Sequence, residues 1–238
     1  TLRRRSRPHE SRSRRTRGSF SAVYGCPNGL RQSGFFSCAT FIGTEAGPEK
    51  SNFEQLFYDD VAQQYIIIWA STIPNRFPKG QEEELNNHRM YYTTTKDFKT
   101  FSPTKLFLDP GFSVIDAVIV EREKDDYVLV LKDNTRPERN LKVAFATHPL
   151  GPYINVSAPY TKKFTEGPAV VKVKDGWLIY FDSYEDKSYG AVKTKDFKTF
   201  EDANSEISVP EGHKHGTIVP IKKSFLKRLQ KNLQAKEK

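Results

Sequence analysis

The 238-residue sequence is poor in cysteine and contains no long apolar run. Its two cysteines, Cys26 and Cys38, have no histidine or further cysteine at metal-binding spacing, which argues against both a disulfide framework and a zinc site. No stretch of about 20 apolar residues occurs, so no membrane-spanning helix and no membrane association are predicted. The first residues are rich in arginine and do not look like the apolar core of a secretory signal. Composition leaves the redox compartment and the localisation open.

Residues 1–50 contain no aspartate, and they carry most of the positive charge. Nine arginines and one lysine stand there against three glutamates, a net charge of +7, which leaves +2 of the total +9 for the other 188 residues. A nucleic-acid-binding arm would explain such a segment, but no aromatic or glycine-rich module accompanies the arginines. We therefore predict a poorly ordered or degenerate segment and no nucleic acid partner.

An internal repeat organises the rest of the chain. The heptapeptide TKDFKTF occurs at 95–101 and again at 194–200, and the related THPLGPY at 147–153 divides the interval into steps of 52 and 47 residues. Each unit contains short apolar strands separated by aspartate-containing turns. Three or four antiparallel strands in units of about 40 to 50 residues are typical of propeller blades. A β-sandwich also has short strands, but it does not predict this repetition.

The first strand of each unit begins beside a carboxylate, at Glu54, Asp116 and Glu166. The first strand of a propeller blade lines the central channel, so these side chains are expected to converge. Two carboxylates that face one cavity can hydrolyse a glycoside, one as acid and one as base. Glu166 before Gly-Pro is also compatible with a solvated turn, but the repeated position favours a site, and burial beside another acid would raise the pKa of Glu166.

Three segments carry a resemblance to a known family: SVIDAVIV at 113–120, TEGPAVVKVKDGWLIYFDSY at 165–184 and GHKHGTIVPI at 212–221. They resemble the five-bladed propellers of glycoside hydrolase family 43, particularly its arabinofuranosidase-like branch. The resemblance implies an all-β propeller over residues 51–221, with residues 1–50 as an incomplete, degenerate or disordered first blade. Residues 222–238 have the apolar stripe of a short amphipathic helix.

The resemblance also implies roles for individual residues. Glu166 matches the general acid, and Asp116 matches the aspartate that orients this acid and tunes its pKa. His215 resembles the histidine near an axial ion or water, although a structural histidine is an equal alternative. Glu54 matches a carboxylate at a strand head, and Arg89 is either a substrate-orienting cation or a charge at the rim. No metal or other cofactor is expected to be required, apart from a structural ion or water near His215.

The catalytic base of the family is an aspartate near the start of the first blade, and residues 1–50 offer none. We interpret that region as misread or foreign coding sequence. Two functions stay open: an inverting glycosidase acting on arabinofuranosyl or xylosyl units of plant-type polysaccharide, or a carbohydrate-binding propeller or inactive gene product without catalysis. Either would bind an oligosaccharide or polysaccharide, and we expect a monomer. The family resemblance suggests a periplasmic or secreted location.

Overall fold

The computed structural model describes residues 20–25, 52–73, 76–77, 87–137, 139–209, 212 and 215–234. Most of the region predicted to be a damaged first blade, residues 1–19 and 26–50, lies outside these ranges. Strand β1 (Phe20–Gly25) and strand β13 (Gly216–Ile221) form a two-stranded sheet. All other described strands belong to three antiparallel sheets that follow one another along the chain.

Each of the three sheets is built from strands that are consecutive in sequence. The first sheet contains β2 (Asn52–Asp59), β3 (Gln64–Ser71), β4 (Arg89–Thr95) and β5 (Lys105–Leu108). The second contains β6 (Val114–Glu123), β7 (Asp126–Asp133) and β8 (Leu141–Ala146). The third contains β9 (Thr165–Val173), β10 (Gly176–Ser183), β11 (Ser188–Thr194) and β12 (Glu201–Asp202). This up-and-down order confirms the predicted blade architecture, although no closed ring of five blades is seen in the described ranges.

The chain divides into two compact units. One unit, Val23–Ile218, contains the three sheets and a 3-10 turn at Asn204–Glu206. The other unit combines Thr1–Ala22 with Val219–Lys238, and its described part includes helix α1 (Lys223–Gln234), as the sequence predicts. Within the described ranges, the structure contains no helix that is long and apolar enough to cross a membrane.

The middle strand of the second sheet, β7, has a continuous apolar run because neighbouring sheets cover both of its faces. Along β7, Leu129 and Leu131 pack with residues of the first sheet, and Val128 and Val130 pack with residues of the third. All four side chains are fully buried. A strand covered on both faces is expected to be a continuous hydrophobic run rather than an alternating one. This packing holds the three sheets side by side.

The repeated heptapeptide forms the same turn in both copies. The Oδ1 atoms of Asp97 and Asp196 each accept the backbone N–H groups two and three residues further on, all at 2.8 Å. These backbone hydrogen bonds lower the pKa of both aspartates. The threonine that opens each copy accepts the N–H of the phenylalanine, at 2.9 and 2.8 Å. The sequence repeat therefore corresponds to a structural repeat.

Candidate active site

A register irregularity occurs beside the acid in each first strand. The pairing with the second strand shifts between Phe53 and Gln55, between Ile115 and Val118, and between Glu166 and Ala169. An extra residue in one strand bends it and redirects the neighbouring side chains, and such bulges are common next to active sites. The structure therefore adds a bulge, which the sequence did not predict, beside the carboxylate of each first strand.

Asp116 and Glu166 meet where the second and third sheets adjoin. The backbone of Asp116 has φ of +52°, a conformation uncommon for residues other than glycine. Its Oδ2 accepts the N–H of Gly167 at 3.0 Å, which ties the head of β6 to the head of β9. Side-chain oxygen or nitrogen atoms of Asp116, Glu166 and His215 all lie within 4.8 Å of one another. Three of the five predicted site residues are thus brought together.

Two nitrogen donors, from Lys132 and His215, hold the carboxylate of Glu166. Lys132 Nζ lies 2.6 Å from Oε2 and His215 Nε2 lies 2.9 Å from Oε1. The Lys132 side chain is 2% exposed, whereas that of His215 is 51% exposed and that of Glu166 is 22% exposed. One oxygen is therefore bonded toward the interior and the other toward the solvent side.

The pKa of Glu166 is lowered rather than raised. Burial alone raises the pKa, as the sequence predicted, but the hydrogen bond from His215 and the charge and hydrogen bond of Lys132 more than compensate. The pKa falls from 4.5 to about 2. The predicted increase is wrong because it considered burial and the acidic neighbour but not the hydrogen bond from His215 or the charge of Lys132. Glu166 is consequently ionised near neutral pH in the free site.

His215 shows the complementary change. Its hydrogen bond to Glu166 raises the pKa of the imidazole above 6.5, burial opposes this, and the charges of Asp116, Glu166 and Asp182 add to the increase. Asp182 Oδ2 lies 3.9 Å from His215 Nε2, and its side chain is only 3% exposed. Acids from three strands therefore favour the imidazolium form.

Reasoning from sequence missed Lys132 and Asp182. The three second strands β3, β7 and β10 are each eight residues long. Aligning them places Ala70, Lys132 and Asp182 at the same seventh position. Two charged residues at a position that is alanine in the first sheet are the signal that would have identified them. Their ion-pairing to Glu166 and His215 depends on how neighbouring sheets meet.

Of the other two predicted site residues, the structure describes the side chain of Arg89 but not that of Glu54. Glu54 lies in β2, but its side chain is outside the described residues. Arg89 begins β4, and its side chain is 5% exposed, with Nε 2.5 Å from Asp109 Oδ1. Its guanidinium carbon lies 4.4 Å from the centre of the Phe77 ring. Arg89 therefore forms a buried ion pair with Asp109, and its role in orienting a substrate stays a prediction.

The close approach of Asp116 and Glu166 limits their shared chemistry. Inverting glycosidases need about 6.5 to 9.5 Å between the carboxyl groups, and retaining enzymes need about 5 to 5.5 Å. One carboxylate oxygen of Asp116 lies within 4.8 Å of one of Glu166, which is closer than the spacing of an inverting pair. This spacing does not fit Asp116 as the catalytic base, and its role in orienting Glu166 stays a prediction.

The same trio is near enough to share a small cation. However, the ammonium of Lys132 already neutralises one oxygen of Glu166, and a cation would have to overcome repulsion from it and from a protonated His215. We assign no ion to these residues. The expectation that no cofactor is required, with an ion or water beside His215, stays a prediction.

Substitution of Gly167 tests this packing. Its φ is +56°, and an added Cβ would lie 2.5 Å from Cδ2 of His215. Gly111 is a matched control because its φ is +82° and an added Cβ would meet nothing within 4 Å. We expect Gly111→Ala to cost roughly 1 to 2 kcal/mol of unfolding free energy from backbone strain. Gly167→Ala should cost more and shift the imidazole NMR signals of His215. Equal losses in urea unfolding, with unchanged His215 signals, would contradict the described contact.

Comparison with known proteins gives the following matches. Residues 53–226 match the model of a family related to glycoside hydrolase family 43, described as "Probable glycosyl hydrolase domain". A fructofuranosidase from Schwanniomyces occidentalis matches with 13% identity and a TM-score of 0.52, over 63% of this chain and 33% of that chain. A Hadza microbial sialidase matches with 14% identity and a TM-score of 0.50, over 64% and 33%.

A family 43 β-xylosidase/α-arabinofuranosidase from a compost metagenome matches with 14% identity and a TM-score of 0.46, over 64% of this chain and 58% of that chain. The chain therefore spans between a third and three fifths of the lengths of these three structures. No match was found among curated proteins. At these identities the structural similarity shows the fold alone.

Proposed function

The chain belongs to the glycosyl hydrolase family whose model matches residues 53–226, and on this premise we propose that it binds carbohydrate and hydrolyses glycosidic bonds beside Glu166. The observation that carries the proposal is the meeting of two carboxylates, Asp116 and Glu166, from the first strands of neighbouring blades. Glu166 would protonate the leaving oxygen. Asp116 would orient it by holding the N–H of Gly167, the next residue.

The finer proposal is hydrolysis with inversion of arabinofuranosyl or xylosyl units of plant-type polysaccharide. It is supported by the resemblance of the segments around Asp116, Glu166 and His215 to the arabinofuranosidase-like branch. Inversion requires a base on the opposite side of the sugar that activates water. Neither the spacing of Asp116 nor the sequence of residues 1–50 supplies one. We therefore expect weak catalysis by this chain.

Binding of carbohydrate without turnover is the second candidate, favoured by the lack of any aspartate in residues 1–50. Calorimetric titration with arabino- and xylo-oligosaccharides distinguishes the two. Binding that persists while no hydrolysis occurs, even with an added carboxylate base, would support this candidate.

Glu166→Gln tests the catalytic role in the presence of formate as external base. We expect turnover of natural oligosaccharides, which have poor leaving groups, to fall by roughly 10² to 10⁴ because general acid catalysis is lost. A 4-nitrophenyl glycoside leaves without protonation and should lose far less. Glu185→Gln, which alters an exposed acid three residues after Asp182 in sequence, is the control and should leave both rates unchanged. Equal losses on both substrates would argue against a general acid.

A further inference from the structure

The two oxygens of Glu166 accept hydrogen bonds from one buried donor and one exposed donor. Lys132 approaches Oε2 from the interior, with a side chain 2% exposed, and its Nζ also lies 5.1 Å from the centre of the Tyr184 ring. His215 approaches Oε1 from the solvent side, with a side chain 51% exposed. An incoming sugar can therefore displace or share the bond from His215, whereas it cannot reach the bond from Lys132.

Burial makes the Lys132 bond hard to break. Moving an ammonium group out of water is costly, and a buried charge is retained only where a well-placed counter-charge compensates. The 2.6 Å contact with Glu166 supplies that counter-charge. Any rotation of Glu166 away from Lys132 would leave the buried ammonium without a counter-charge. Oε2 of Glu166 therefore stays bonded to Lys132.

We propose that Lys132 is a positioning residue that permanently holds one oxygen of Glu166, so that the proton for the leaving group passes from His215 through the other oxygen. This inference rests on the proposed hydrolysis. The proton on Nε2 of His215 moves to Oε1 of Glu166 and then to the glycosidic oxygen. The glycosidic C–O bond breaks as water adds to the sugar, the proton lost by that water returns to solvent, and solvent reprotonates the exposed imidazole.

The charges around His215 suit this relay. Glu166, Asp116 and Asp182 face the imidazole from β9, β6 and β10, and all three favour its protonated form. Lys132 on β7 is the cation on the far side of Glu166. Three acids therefore favour the protonated form of His215, while Lys132 favours the ionised form of Glu166.

Lys132→Met is the direct test, and Lys142→Met is its matched control. Lys142 is also an ion-paired lysine of the second sheet: its Nζ lies 2.7 Å from Asp133 Oδ2 and 4.6 Å from the centre of the Phe112 ring. The carboxyl of Glu166 is followed by ¹³C NMR across a pH titration. We expect Lys132→Met to raise the Glu166 titration midpoint by roughly 1 to 3 pH units. Lys142→Met should leave it unchanged.

Two further measurements keep the test decisive. If Lys132→Met does not fold, Lys132→Gln replaces it. In the unmodified chain, the titration midpoint of Glu166 must lie below that of ordinary glutamates. The imidazole of His215 is followed in the same samples, and His215→Gln should slow natural substrates more than 4-nitrophenyl glycosides.

The outcomes separate this inference from the proposed hydrolysis. An unshifted Glu166 midpoint in the Lys132 variants, or equal shifts in the Lys142 control, overturns the positioning role whatever the activity. Equal losses on both substrate types for His215→Gln overturn the relay. The expected shifts without hydrolysis under any condition would retain the positioning role and remove the hydrolytic function and the relay with it.

Discussion

Formate should accelerate glycoside hydrolysis by this chain, because the aspartate that the family resemblance implies as catalytic base has no counterpart in residues 1–50. In plain buffer we expect feeble turnover of aryl arabinofuranosides and xylosides. Residues 1–50 contain no aspartate, and the 4.8 Å approach of Asp116 to Glu166 does not match the spacing of an inverting acid and base. General base catalysis typically supplies about 10² to 10⁴ in rate. A small carboxylate that enters the site should recover part of that factor, and azide should substitute as a nucleophile.

The control for this prediction is chloride at the same ionic strength, which provides the salt without the base. Initial rates are measured over a concentration series of each anion, and the azide reaction is also analysed for a glycosyl azide product. Robust turnover without any additive would show that a base is present elsewhere in the chain. No response to either anion, together with measurable oligosaccharide binding, would favour the non-catalytic alternative.

Conformational stability should be greatest between about pH 4.5 and 6.5, and Glu166 should account for much of its pH dependence. The pKa of Glu166 falls from 4.5 to about 2 on folding. Its contribution to the free energy of unfolding is therefore present above pH 4.5 and is lost as pH falls toward 2. This effect is on the order of 3 kcal/mol. The pKa of His215 is raised above 6.5, so its contribution is present below that pH and is lost as pH rises through the folded value.

Glu166→Gln should remove both contributions and leave the ammonium of Lys132 buried without a counter-charge. Breaking a buried ion pair from one side costs about 3 to 5 kcal/mol. Asp186→Asn is the control because it breaks an exposed ion pair. The side chains of Asp186 and its partner Lys162 are 57% and 59% exposed. Exposed pairs contribute about 0 to 1 kcal/mol. Urea unfolding at pH 3, 5.5 and 8 measures the three proteins, and an unchanged pH profile for Glu166→Gln would contradict the described bonds.

The turn at each heptapeptide was determined by sequence alone, because its hydrogen bonds join groups no more than three residues apart. The surroundings of each turn were not determined by sequence alone. Phe98 is 46% exposed, whereas Phe197, the same residue of the same heptapeptide, is fully buried against Trp177 with ring centres 5.0 Å apart. Identical local chemistry led to opposite burial because the burial depends on which part of the fold lies next to the turn.

The candidate site divides in the same way. The strand heads that carry Asp116 and Glu166, the blade-like order of the strands and the C-terminal helix were all determined by repeat spacing, apolar periodicity and family resemblance. The charge state of Glu166 was decided only by tertiary structure. Lys132 is 34 residues away in sequence and His215 is 49 residues away, yet both bond to its carboxylate. Ionisation depends on the distance to neighbouring charges and on burial, and folding alone sets both.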